Sequence, residues 1–149
     1  MSNYIITTQE HALYYAEYGN PAGIPVLFLH GGPGSGCNPA HTQWLSPETS
    51  RIIQFDQRGC GRSTPQGSLL GNHTAALVYD IEALRTHLGI PSWIVYGGSW
   101  GATLALEYAK DFPQCVLGLL LRGTFLARRE DWAWFSSAEG VAQFYPEAY

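Results

Sequence analysis

The chain has 149 residues, of which 46% are hydrophobic and 13% are charged. That apolar content suffices for one core of ordinary domain size, and it excludes disordered and fibrous proteins. The formal net charge is −4 and no run of Lys or Arg is present, which excludes nucleic acid as a partner. Since a typical soluble domain has about 25% charged residues, the low charge suggests a surface that another segment covers.

The sequence predicts a cytoplasmic protein with no membrane partner. Its N-terminus has no signal-peptide pattern, and no apolar run approaches the ~20 residues needed to cross a bilayer. The cysteines are odd in number and far apart, which predicts reduced thiols rather than disulfides or a metal site. They are Cys37, Cys60 and Cys115.

The predicted strands fall into two groups. Segments 4–7 and 13–18 are β-rich and predict an antiparallel pair. Four continuous apolar runs follow, as is typical of buried parallel strands. They lie at residues 25–30, 51–56, 92–96 and 115–121.

Two predicted helices lie between these runs. Residues 73–88 place apolar side chains at helical spacing, with Asn72 as the candidate N-cap, and residues 100–110 are rich in helix formers. This alternation predicts an α/β fold with a mostly parallel sheet, flanking helices and a fourth parallel strand as the last one. Beyond it the sequence becomes aromatic-dense, so we divide the chain into a core at 1–126 and a second, incomplete segment at 127–149.

The third loop of the predicted sheet carries a G-x-S-x-G pattern at residues 97–101. Between a strand and a helix, this pattern is typical of a sharp turn that exposes a nucleophilic serine. We interpret Ser99 as that nucleophile; the alternative is an ordinary strand-to-helix turn.

The first loop, residues 30–34, is suited to form an oxyanion hole. Acyl transfer needs backbone N–H groups aimed at the developing negative charge. We assign the N–H groups of Gly32 and Trp100 to this role. A phosphate-binding loop is excluded because the glycines are not followed by Gly-Lys-Ser/Thr. His30 is interpreted as a brace for this loop, in preference to a catalytic base.

The second loop, residues 56–63, places charged groups at a strand end. Asp56 paired with either Arg58 or Arg62 would tie neighbouring loops together. We favour this structural role over direct participation in chemistry.

Four motifs together resemble those of the proline iminopeptidases, or prolyl aminopeptidases, of the α/β-hydrolase superfamily. They are HGGPG at 30–34, DQRGCGRS at 56–63, GGSWG at 97–101 and LRGTF at 121–125. The resemblance covers the whole chain. It implies an α/β-hydrolase fold and a serine peptidase that needs no metal or cofactor. Its substrate would be a peptide with an N-terminal proline, and the enzyme would release that proline through a prolyl-enzyme ester.

The resemblance also implies roles outside the core. Residues 127–149 would begin a helical cap over the site. Phe125 would line the apolar proline pocket; the alternative for this ring is ordinary packing under the cap.

One part of the expected machinery is missing from the sequence. In α/β-hydrolases the triad follows the order Ser, Asp or Glu, His, yet no histidine follows Ser99. We assign neither Asp111 nor Asp131 to the triad. Family members are about twice as long, so the chain is interpreted as an N-terminal half that is nearly inactive alone. The edge of its last strand is expected to self-associate.

Two other functions stay open. A sibling esterase or amidase of the same fold would use the same motifs with another acyl group. A non-catalytic module would instead bind a partner through the exposed edge of the sheet.

Overall fold

The computed structural model describes residues 3–6 and 10–148. Its six strands form one sheet in the spatial order β1-β2-β4-β3-β5-β6. The strands are β1 (Asn3–Ile6), β2 (Ala12–Gly19), β3 (Ile24–Leu29), β4 (Ser50–Phe55), β5 (Trp93–Gly98) and β6 (Val116–Arg122). The pairings β1–β2 and β2–β4 are antiparallel, and β3, β4, β5 and β6 are parallel to one another. The predicted strand order along the chain is confirmed; Thr7, the end of the first predicted strand, lies outside the described residues.

The described residues form three α-helices, of which the first two match the predicted helices at 73–88 and 100–110 to within one residue at each end. They are α1 (Thr74–His87), α2 (Trp100–Asp111) and α3 (Arg129–Ser136), accompanied by short 3-10 turns at Pro39–Trp44, Pro113–Cys115, Val141–Gln143 and Pro146–Ala148. None of the helices in the described ranges combines the length and apolar character needed to span a bilayer.

The predicted cap of α1 is wrong by one residue. The N-cap is His73, whose Nδ1 accepts the N–H of Ala76 at 3.3 Å. Asn72 does not cap the helix because its amide donates to the carbonyls of Arg58 and Ser68, at 3.1 and 3.2 Å. The side chain of Asn72 therefore makes tertiary contacts with the loop after β4, where the local sequence had predicted a helix cap.

Both faces of the central strands are covered, which explains their unbroken apolar runs. On one face α1 and α2 bury the main core, with Trp93 and Tyr108 fully buried and their rings in edge contact at 6.2 Å. On the other face a smaller cluster of Val26, Phe28 and Tyr96 packs against Leu45. The parallel strands thus end together, and their loops meet at the carboxyl edge, where ligands bind in open α/β sheets.

Candidate active site

Ser99 occupies the turn between β5 and α2 in a strained backbone conformation. Its φ is 55° and its ψ is −120°, and the residue is exposed to solvent. A non-glycine residue held this way costs about 1–3 kcal/mol and persists where the surroundings impose it. Here its N–H donates to the carbonyl of Arg122 at the end of β6, at 2.9 Å.

The glycines of the turn show why the backbone can bend so sharply. A Cβ on Gly97 would lie 2.2 Å from the carbonyl oxygen of Gly101, and a Cβ on Gly101 would lie 2.2 Å from that of Leu29. A Cβ on Gly98 would have room, since the carbonyl oxygen of Arg122 would lie 4.0 Å from it. The first and last glycines of the G-x-S-x-G pattern are therefore sterically required, and the one before the serine is not.

The loop at residues 30–34 lies directly against this turn. A Cβ on Gly31 would stand 3.4 Å from the Cβ of Ser99. Gly32 lines the same cleft as Ser99 and has a φ of 125°, which favours glycine. Trp100 is the first residue of α2, and N–H groups in the first turn of a helix have no acceptor within that helix. The structure thus brings together the three residues that the sequence singled out for acyl transfer.

His30 holds its loop in place. Its Nε2 accepts the backbone N–H of Gln57 at 3.0 Å, and its Nδ1 lies 2.9 Å from the carbonyl oxygen of Gly31 and 3.2 Å from the backbone nitrogen of Gly36. Burial lowers the pKa of His30, which keeps the ring neutral. The predicted bracing role is confirmed, since both ring nitrogens are engaged away from Ser99.

Each of the other histidines also has a hydrogen-bond partner away from Ser99. The pairs are His11 with Leu70, His41 with Asn38, His73 with Ala76 and His87 with Tyr15. His41 and His30 line a pocket of about 230 Å³ that also reaches Ser99. Every histidine of the chain thus has a hydrogen-bond partner other than Ser99, and we assign none of them as the general base.

Asp56 pairs with Arg62, one of the two partners left open by the sequence, and both side chains contact the backbone of Cys37, which follows the first loop. Its fully buried carboxylate accepts the N–H of Cys37 at 2.6 Å and both the N–H and Nε–H of Arg62 at 2.8 Å. Burial by itself would raise the pKa of Asp56, but these hydrogen bonds lower it below the ordinary value. Arg58 instead makes a buried two-point ion pair with Asp80 of α1, at 2.6 and 2.7 Å.

Cys37 and Cys60 do not compete with Ser99 as nucleophiles. All three are free thiols, as predicted. Burial raises the pKa of Cys37, whose Sγ–H donates to the carbonyl of Phe55, and burial raises the pKa of Cys60 as well. Both thiols therefore stay protonated near neutral pH, and the thiol is a poor nucleophile.

A cleft of about 740 Å³ opens beside Ser99. One wall is the loop with Gly32, and the opposite wall is α3 with the segment before it. The ring of Phe125 faces this cleft and makes edge contacts with Trp132 at 5.4 Å and Phe135 at 6.3 Å. The remaining lining residues are Pro33, Gly123, Thr124, Arg128, Glu130, Asp131 and Trp134. The site therefore offers a serine hydroxyl at the mouth of an aromatic pocket.

Sequence reasoning assigned no role to Gln57, which contacts two of the segments that form the site. Its side-chain amide is buried between the first loop and the start of α2, bonded to His30 and to the Trp100 indole. The motif at 56–63 contained the residue, but nothing local to the motif indicated which loops the amide would join.

Fold and site together define the class of protein. Residues 24–148 match the family model for the alpha/beta hydrolase fold, and the chain belongs to that family. Among described residues, no cluster of His, Cys, Asp and Glu has the arrangement of a metal site.

The most similar relatives narrow the resemblance to one group of enzymes. The proline iminopeptidase of Neisseria gonorrhoeae is 49% identical over 148 residues, which are 99% of this chain and 48% of that protein. The proline iminopeptidase of Arabidopsis thaliana is 52% identical over 139 residues, or 93% of this chain and 36% of that protein. The chain thus spans about half the length of these relatives or less.

Solved structures of more than one kind of enzyme share the fold of this chain. A proline iminopeptidase-related protein from Thermus thermophilus superposes with a TM-score of 0.69 at 32% identity, over 81% of this chain and 43% of that one. An esterase from Exiguobacterium antarcticum reaches a TM-score of 0.69 at 27% identity, over 83% and 46%. The fold is therefore shared by peptidase-like and esterase relatives.

Proposed function

We propose that this chain carries the nucleophile and the oxyanion hole of a serine peptidase that releases N-terminal proline from peptides. The observation that carries the proposal is Ser99, held at φ 55° between β5 and α2, next to Gly32 and at the mouth of an aromatic cleft. The identity of about 50% to proline iminopeptidases supports the choice of substrate.

The reaction follows from these positions. Ser99 Oγ attacks the carbonyl of the N-terminal prolyl residue while its proton passes to a histidine from outside this chain. The N–H groups of Gly32 and Trp100 stabilise the oxyanion. The peptide amine then leaves with that proton, and water hydrolyses the prolyl ester on Ser99. Alone, the chain is nearly inactive, because it supplies no general base.

The cleft supports a proline pocket built around Phe125. Its ring forms an aromatic wall with Trp132 and Phe135, suited to pack against the methylene groups of a pyrrolidine ring. Residues 127–149, which include α3, would form the beginning of a cap over that pocket.

A second candidate is an esterase or amidase of the same fold. It is favoured by the esterase superposition, which has the same TM-score as that of the peptidase-related structure. Since both reactions use the same nucleophile and oxyanion hole, the pocket decides between them.

A chimera tests the proposal. Residues 1–149 of this chain would replace the matching part of the Neisseria gonorrhoeae proline iminopeptidase, and we expect the remainder of that protein to supply the other catalytic groups. We expect the chimera to release proline from a proline arylamide faster than it cleaves simple esters, with all activity lost in Ser99→Ala. Ester cleavage without proline release would instead establish the second candidate.

A further inference from the structure

The side chain of Gln57 joins the two segments that provide the oxyanion donors. Its Nε2–H donates to the carbonyl oxygen of His30 at 2.9 Å, and its Oε1 accepts the indole Nε1–H of Trp100 at 3.0 Å. A carbonyl can only accept and an indole N–H can only donate, so the orientation of the amide is fixed. Because Gln57 is 1% exposed, water cannot replace either bond without rearrangement.

The main chain of the same residue adds a third connection. The N–H of Gln57 donates to Nε2 of His30 at 3.0 Å, and the other ring nitrogen of His30 faces the carbonyl oxygen of Gly31. One residue at the end of β4 therefore holds the start of the loop that presents Gly32.

The distance between the two donors is a tertiary property. Gly32 and Trp100 lie 68 positions apart in the sequence, the first in the loop after β3 and the second at the start of the helix after β5. An error of about 1 Å in the placement of a catalytic group can cost on the order of 10²-fold in rate. A rigid connection between the two segments is thus of direct use to an oxyanion hole.

From this geometry we infer that Gln57 is a positioning residue, which fixes the loop bearing Gly32 relative to the start of α2 and so sets the spacing of the two oxyanion donors. The inference rests on the proposed acyl-transfer function, but not on proline as the acyl group. A residue that only stabilises the fold would affect substrate binding and transition-state binding alike. A positioning residue affects the transition state, because the oxyanion forms only there.

The test compares two buried glutamines near the end of β4 in the chimera described above. Gln57→Leu removes both side-chain bonds. Gln54→Leu is the matched control, since Gln54 is also 1% exposed but donates to the carbonyl of Asn38, away from the oxyanion segments. We expect Gln57→Leu to lower kcat by about 10- to 100-fold with KM changed less than about twofold. The control should keep kcat within about twofold of the parent.

Inhibitors separate positioning from stability. A boronic acid analogue of proline forms a tetrahedral adduct with the serine, whereas free proline does not. Gln57→Leu should weaken the boronic acid by the same factor as kcat/KM and leave proline binding unchanged. Equal weakening of both ligands, an unchanged kcat in the folded variant, or an equal kcat loss in Gln54→Leu would each overturn the inference.

A second variant keeps the test valid if Gln57→Leu fails to fold. Trp100→Phe removes one of the two side-chain bonds and keeps an aromatic ring. It should lower kcat by about 3- to 10-fold. Where Gln57→Leu folds, adding Trp100→Phe to it should cause little further loss, because the two changes break the same connection. An undiminished kcat in Trp100→Phe would contradict the inference.

The choice of substrate distinguishes the two proposals. If the chimera cleaves 4-nitrophenyl acetate but no proline arylamide, the peptidase proposal fails and the Gln57 comparison is made on the ester, with a simple alkyl boronic acid as the tetrahedral ligand and the matching carboxylic acid as the ground-state ligand. If the folded chimera cleaves neither substrate, both proposals fail.

Discussion

The carbonyl oxygen of Leu29 lies 2.2 Å from the point where a Cβ on Gly101 would stand. Helix α2 therefore approaches β3 so closely that no side chain fits between them. This contact places the start of the helix, and with it the N–H of Trp100, beside the loop that follows β3.

Gly101→Ala should accordingly destabilise the chain by about 1–3 kcal/mol, since a Cβ there would push the helix from the sheet. Gly98→Ala is the matched control, because its Cβ would lie 4.0 Å from the carbonyl oxygen of Arg122. The free energy of unfolding of this variant should therefore change by no more than about 0.5 kcal/mol. Urea denaturation of both variants measures the difference. Equal midpoints would show that α2 can shift without cost.

Ser99 provides a test of strain at the turn. Ser99→Gly and Ser99→Ala both remove the hydroxyl, and both should abolish activity in the chimera. The glycine variant should be more stable than the alanine variant by about 1 kcal/mol, because glycine adopts a φ of 55° without the penalty that a Cβ brings. Chemical denaturation checks this order, and a more stable alanine variant would mean that the turn is relaxed.

Asp56 should make the stability of the chain depend on acid pH. Its folded pKa is lowered, so its contribution is fully present above the unfolded pKa of about 3.9 and is lost as pH falls through the lower folded value. Asp56→Asn should therefore reduce stability at pH 7 by about 2–3 kcal/mol and flatten the decline below about pH 4.

The control for this pH dependence is Asp111→Asn, because Asp111 is exposed at the end of α2. Denaturation midpoints measured from neutral to acid pH for both variants and the parent give the comparison. A decline in Asp56→Asn as steep as that of the parent would assign the acid sensitivity to other groups.

The outer edge of β6 should promote self-association of the isolated chain. Within the described residues β6 pairs with β5 on one side only, and Leu117 and Leu120 are 60% and 47% exposed. Replacing both leucines by Lys should lower the association seen by sedimentation velocity at rising concentration, because lysine discourages edge pairing. The same replacement at Leu69 and Leu70, which are exposed elsewhere, should leave it unchanged. Association that persists in the β6 variant would place the contact on another surface.

The sequence by itself determined the elements and their order. Apolar runs without alternation predicted the parallel strands, and spaced glycines predicted the turn at Ser99, because side-chain hydropathy and backbone freedom are local properties of these residues. The same local reasoning failed at the cap of α1, where a contact from a distant loop competes for Asn72.

Only the tertiary structure decided how the loops are joined. It paired Asp56 with Arg62 rather than Arg58, brought His30 against the backbone of Gln57, and placed the amide of Gln57 between a loop and a helix that lie far apart in the sequence. A buried polar side chain takes whichever partners the packed loops bring within hydrogen-bond distance. Those partners depend on where strands end in space, which no single motif encodes.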